Sequence, residues 1–114
     1  MPTDVSPEAA ASAPTGTAPT PTTEAEWRQR QDALQEALGQ HETLLDALQS
    51  RINGLTTDFV NRDDPSQRAR LAADRQKALQ ELDRLRTQVA ADRAALSDLL
   101  EQARRAGVPA GWLR

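Results

Sequence analysis

The 114-residue sequence contains no cysteine and no tyrosine, a single histidine, and only three aromatic side chains, Trp27, Phe59 and Trp112. The missing cysteines exclude disulfides and thiolate metal sites. The shortage of bulky side chains argues against a conventional globular core. No apolar run approaches the roughly 18 residues that span a bilayer. The first residues, MPTDVSPEAAASAPTG, lack the basic and hydrophobic regions of a secretory signal, so a cytoplasmic location is the expectation. Glycine occurs only singly, at 16, 39, 54, 107 and 111, and no phosphate-cradling loop can be built from it. A strong charge of one sign is also missing. The net charge of −3 is not that of a dedicated nucleic-acid binder, which carries a basic patch.

What remains is Leu and Ala interleaved with Glu, Gln, Asp and Arg, the composition of long helices and coiled coils. Thirteen arginines against one lysine, Lys77, together with abundant alanine, suggest a GC-rich bacterial coding bias. Residues 1–22 are Pro, Thr, Ala and Ser with almost nothing to bury, and read as a disordered tail. Thr23-Glu24-Ala25-Glu26 matches a capping box and opens the first helix, 23–61.

The stretch NRDDPSQ, residues 61–67, holds two adjacent acids but too few oxygen ligands, and no bend glycine, for a calcium loop. It reads as a turn, 62–65, where one helix stops and another starts. Asp64 serves as N-cap, Pro65 takes the first helical position, and Gln67 completes a second box. The second helix, 65–106, ends before Gly107 and Pro109, with Arg104 and Arg105 at the negative end of its dipole. A tail, 107–114, carries Trp112 and Leu113.

Both helices carry a 3.5-residue repeat. In the first it runs Trp27, Gln31, Leu34, Leu38, His41, Leu45, Leu48, Ile52, Leu55, Phe59. In the second it runs Leu71, Arg75, Ala78, Leu82, Leu85, Val89, Asp92, Leu96, Leu99, Ala103, Ala106. Folded at the turn, the two lists pair in order, from Phe59–Leu71 through Ile52–Ala78, Leu48–Leu82, His41–Val89 and Leu38–Asp92 to Trp27–Ala103. Each layer sets an a position against a d position. The expected fold is therefore all-α, an antiparallel two-helix coiled-coil hairpin. Charge supports the pairing. Residues 24–59 hold three arginines against seven acids, −4, and residues 66–106 hold nine cations against six acids, +3. In this register Arg51 faces Glu81 and Glu42 faces Arg86.

Few residues invite a chemical role. His41 lies in the seam near Glu42 and Asp46, whose heptad positions point them away from it. It reads as a register-fixing polar residue, together with Arg75 and Asp92, and not as a metal ligand. If His41 is buried neutral, stability falls on acidification. No acid, base and nucleophile converge, so no enzyme, cofactor or metal is expected. Leu44, Leu79 and Leu100 flank the seam and widen its apolar face, offering a surface for a partner helix or for a second hairpin in a four-helix bundle. Trp27, Trp112 and Leu113 share one end of the rod, where the tail either folds back as a cap or docks a partner. The reading is a bacterial non-enzymatic adaptor, scaffold or accessory subunit. Its rivals are a hairpin chaperone or stalk of a secretion or rotary assembly and, at lower weight, a nucleic-acid-associated protein using the second helix.

Overall fold

The computed structural model describes residues 19–113. Two helices, α1 (Glu24–Asn61) and α2 (Pro65–Arg105), lie packed against each other, and a single 3₁₀ turn, Ala110–Trp112, follows them. The architecture is an all-α helical hairpin. At 1.5 Å per residue, α1 is about 57 Å long and α2 about 62 Å. Residues 1–18 of the expected disordered tail lie outside the described part. Residues 19–22 run back against α1, where Pro21 is buried and the Arg30 guanidinium donates to the Pro19 carbonyl.

Each helix end has an identifiable cause. At the start of α1, the Glu26 N–H donates to Thr23 Oγ1 (3.1 Å) and the Thr23 N–H donates to Glu26 Oε1 (3.0 Å), a complete capping box. Thr22 adds its N–H and hydroxyl to the same carboxylate oxygen, each at 2.9 Å. These donors hold the Glu26 carboxyl at about 2, the Thr22 N–H first and the Thr23 N–H next. A depressed carboxylate stabilises the cap fully above its ordinary value of 4.5 and loses that contribution as pH falls through about 2. Protection of the Thr22 and Thr23 amides, taken relative to intrinsic exchange at each pH, is expected to fall across that window, while protection of mid-helix amides holds. A uniform loss of protection along α1 would refute the local cap.

Helix α1 stops where Arg62 turns extended, and Asp64 caps α2 by accepting from the Gln67 N–H at 2.9 Å. Only this half of the second expected box is made. At the far end, the Val108 N–H reaches the Ala103 carbonyl (3.0 Å) and the Gly107 N–H reaches that of Arg104 (3.1 Å). This is a Schellman motif, and Gly107 supplies its left-handed residue at φ 76°. Val108 then packs on the Trp27–Leu99–Ala103 cluster, the apolar contact that accompanies the motif.

The core is a seam with two apolar clusters. Trp27, Leu99 and Ala103 form one at the open end, with Leu34 against them. Ile52, Ala78 and Leu82 form the other nearer the turn, with Leu45, Leu48, Leu55 and Leu79 against them. Near the turn, the Arg68 guanidinium lies 4.3 Å from the centre of the Phe59 ring. Gly39 and Gly54 sit mid-helix on the outer face, and a methyl group added at either would meet nothing within 4 Å. Replacing each with alanine is expected to stabilise the hairpin by about 1 kcal/mol, raising Tm by about 4–8 °C. A thermal melt that moves down instead would mean that the glycines serve a bend.

Candidate functional site

Between the two clusters the seam turns polar. His41 Nδ1 lies 2.5 Å from Asp92 Oδ2 on the opposite helix, and Gln88 Nε2 donates to Asp92 Oδ1 at 3.3 Å. The Asp92 side chain is 9% exposed and that of His41 28%. Both carboxylate oxygens are therefore satisfied in a nearly dry position. The Asp92 carboxyl is held below its ordinary value, first by the bond to His41 and then, against the opposing effect of burial, by Gln88.

This layer differs from the sequence register in one respect. His41 reaches not Val89 but Asp92, one layer along, because a long polar side chain seeks the carboxylate and not the valine methyls. The sequence reading treated His41, Asp92 and Arg75 as separate polar interruptions, and the structure joins the first two. Arg75 leaves the seam sideways. Its Nε donates to Thr56 Oγ1 at 2.8 Å, and that hydroxyl donates to the Ile52 carbonyl at 2.9 Å. His41 is also half-buried and not sealed, so the premise of a buried neutral imidazole does not hold. Among the described residues, no three His, Asp or Glu side chains gather as a metal site.

The flanking ion pairs shift as well. Glu42 pairs with Arg93 at 2.9 Å and not with Arg86. Glu81 pairs with Arg84 on its own helix at 3.3 Å and not with Arg51 across the seam. Exposed pairs of this kind contribute well under about 1 kcal/mol each, so the apolar layers set the register and the ion pairs follow it.

The apolar candidates separate into three groups. Leu44, at a g position of α1, stands 54% exposed beside Gly39, Gln40 and Thr43. Leu100, at an e position of α2, is 49% exposed and lines a shallow cleft with Val108, Pro109 and Leu113. Leu79 is half-buried and packs on the Ile52 cluster, so it belongs to the core. In an antiparallel hairpin, g faces g on one flank and e faces e on the other. Leu44 and Leu100 thus lie on opposite flanks, and the expected single widened face is not formed. Val60, beside the turn, is 67% exposed and was not singled out from the sequence.

At the rod's open end, Trp27 is only 1% exposed, so it is core and not surface. Trp112 and Leu113 pack against its cluster. A residue the sequence reading passed over holds them there. Arg28 donates Nε to the Trp112 carbonyl (3.0 Å) and Nη2 to that of Gly111 (3.4 Å), while Glu24 steadies its guanidinium at 3.0 Å. The only sequence signal for this clamp is a cation one residue after a seam tryptophan. Comparison of the chain with family models, curated proteins and solved structures finds no match.

Proposed function

We propose that this chain is a non-enzymatic protein–protein interaction module, a helical-hairpin adaptor, scaffold or accessory subunit. One observation carries the reading. Among the described residues, seven apolar side chains are buried in the rod's core, while Leu44, Val60 and Leu100 stand about half exposed or more. A two-helix rod with one seam is marginal by itself, and large apolar side chains left outside it are the natural contact points for another helix. The non-enzymatic reading is supported by the polar seam groups, of which His41 and Gln88 bond to Asp92 and Arg75 bonds to Thr56.

Quantitative affinity capture of the full chain from its host tests this, with Leu44→Asp and Leu100→Asp run beside it. Any protein recovered in stoichiometric amount is then purified and recombined with the chain. The expected result is a complex that re-forms from pure components and loses at least tenfold in affinity in one of the two variants. Recovery of the chain alone, with a monomeric mass and no difference among the three proteins, would overturn the reading.

A further inference from the structure

We infer that residues 11–18 of this same chain dock along the outer surface of α1 and cover Leu44. The described part shows the chain already on this path. Residues 19–22 do not leave the rod at the Thr23 cap but turn back along α1. Pro21 is buried, Arg30 donates to the Pro19 carbonyl, and Pro19 and Pro21 share a shallow cavity with Glu26, Gln29 and Ala33. An arginine can reach back toward the helix start, but the methyl of Ala33 cannot, so the segment itself has climbed toward the level of Ala33. Gln29, Ala33, Glu36, Gln40 and Thr43 follow one another at spacings of 4, 3, 4 and 3, and so form one straight stripe on α1. The Pro19–Pro21 segment lies on the first half of that stripe. The second half opens into a shallow shelf lined by Glu36, Gly39, Gln40, Thr43 and Leu44, all exposed. Gly39 leaves bare backbone beside the shelf, although a methyl there would meet nothing within 4 Å, so the hairpin's own packing does not call for glycine. Glycine does permit close approach of a second backbone.

Length and composition name the occupant. Leu44 lies roughly 17 Å beyond Ala33 along α1, at 1.5 Å per residue. An extended, proline-containing chain covers that distance in about five or six residues, at roughly 3.1 Å each. Eighteen residues precede Pro19. Residues 15–18 therefore pass Glu36 and Gly39, and residues 12–14 arrive at Leu44. Their chemistry suits a shallow shelf. Residues 11–18 are only Ala, Ser, Pro, Thr and Gly, with no charge and no long side chain. Pro14 and Pro19 fix φ and lower the cost of ordering the segment. Further back, Glu8 comes within reach of Arg51, the next g position after Leu44. Arg51 lies roughly 27 Å beyond Ala33, and the chain from Pro19 to Glu8 spans up to roughly 34 Å. Within the hairpin, Arg51 makes no ion pair among the described residues. The tether holds the segment at an effective concentration on the order of millimolar, so a weak apolar contact suffices. A partner that uses Leu44 then has to displace this segment, and one that uses Leu100 does not. The docking itself needs no partner.

Paramagnetic broadening in the full chain tests the inference. Because the chain has no cysteine, Ser12→Cys places a single nitroxide in the segment. The expected result is loss of the amide signals of residues 40–44, regained on reduction of the nitroxide, with the Leu100 signal retained. Leu44→Asp in the labelled chain should restore the Gln40 and Thr43 signals, and Leu100→Asp, on the other flank, should not. Both sites are exposed, so circular dichroism should show both variants folded. Mixing isotope-labelled chains with separate nitroxide-bearing chains should broaden nothing, because the contact lies within one molecule. Broadening confined to the start of α1 overturns the inference, and so does broadening of residues 40–44 that Leu44→Asp leaves in place. Broadening that appears in the mixture assigns the shelf to a second copy and overturns it as well. If the chain alone shows no contact while Leu44→Asp still weakens binding to a purified protein, the interaction-module reading survives without the docked segment. If the contact is present and no protein is recovered, the docked segment survives without that reading.

Discussion

Replacing His41 with leucine is expected to destabilise the hairpin strongly, and replacing Asp92 with leucine in the same chain is expected to repair most of the damage. The single change leaves a carboxylate in a position 9% exposed with only Gln88 to bond it. Removing one partner of a buried pair is far more damaging than removing both. The fall in Tm for His41→Leu should be about 10 °C or more, given the sensitivity of a domain this size. The double variant fills the layer between the two apolar clusters with leucine on both sides. It should melt at or above the wild-type temperature, as buried pairs replaced by apolar side chains often do. A double variant as weak as the single one would show that the layer needs the shapes of imidazole and carboxylate and not their charges.

The same layer has a pH signature whose sign follows from Asp92. Its folded carboxyl is more acidic than the ordinary 3.8, chiefly through His41. Its contribution is therefore fully present above 3.8 and is lost as pH falls through the folded value. In the wild type, melting temperature should hold from neutrality down to the ordinary carboxylate range and then drop. In His41→Leu the stranded carboxyl gains by protonation, so its deficit relative to wild type should narrow in acid. A deficit that stays constant from neutral pH to below 3.8 would remove electrostatics from the explanation.

The hairpin was legible because its signals are local and periodic. Thr23, Asp64–Pro65 and Gly107 mark helix ends through backbone chemistry that needs no tertiary partner. The layered order from Phe59–Leu71 to Trp27–Ala103 follows from a repeat held through ten seam positions on α1. Polar partners were not legible to the same depth. A heptad fixes the level of each Cα on the rod to within one layer, but a long side chain reaches across a layer. His41 therefore met Asp92, Glu42 met Arg93, and Arg75 left the seam for Thr56. The flanks were misread for a different reason. Reading Leu44, Leu79 and Leu100 as one face overlooked that e and g positions diverge to opposite sides of an antiparallel pair. The clamp from Arg28 to the Trp112 carbonyl spans 84 residues and ends on backbone, so no side-chain pattern announces it.

The open end yields the other large effect. Trp27 is the most deeply buried large side chain of the described residues, and it lies where the rod would otherwise fray into water. Trp27→Ala is expected to destabilise by about 3–5 kcal/mol, the usual range for a buried aromatic cut to alanine. That is a large part of the stability of a small domain, so helical circular dichroism should melt early or be lost at room temperature. Trp112→Ala separates capping from docking. Trp112 is half-buried on the Trp27 cluster, and Val108 and Leu113 remain to cover Trp27 without it. A loss of about 1–2 kcal/mol is expected from the apolar area exposed, with helix content retained and the Trp27 fluorescence shifted to the red. Placed in a Trp112→Phe background, where Trp27 is the one tryptophan, Arg28→Ala should shift that fluorescence less, because it releases the carbonyls of residues 111 and 112 but removes no apolar ring. An unchanged melt and an unshifted Trp27 spectrum in Trp112→Ala would mean that the tail contributes nothing to closing the rod. Its tryptophan would then be a side chain kept for a partner.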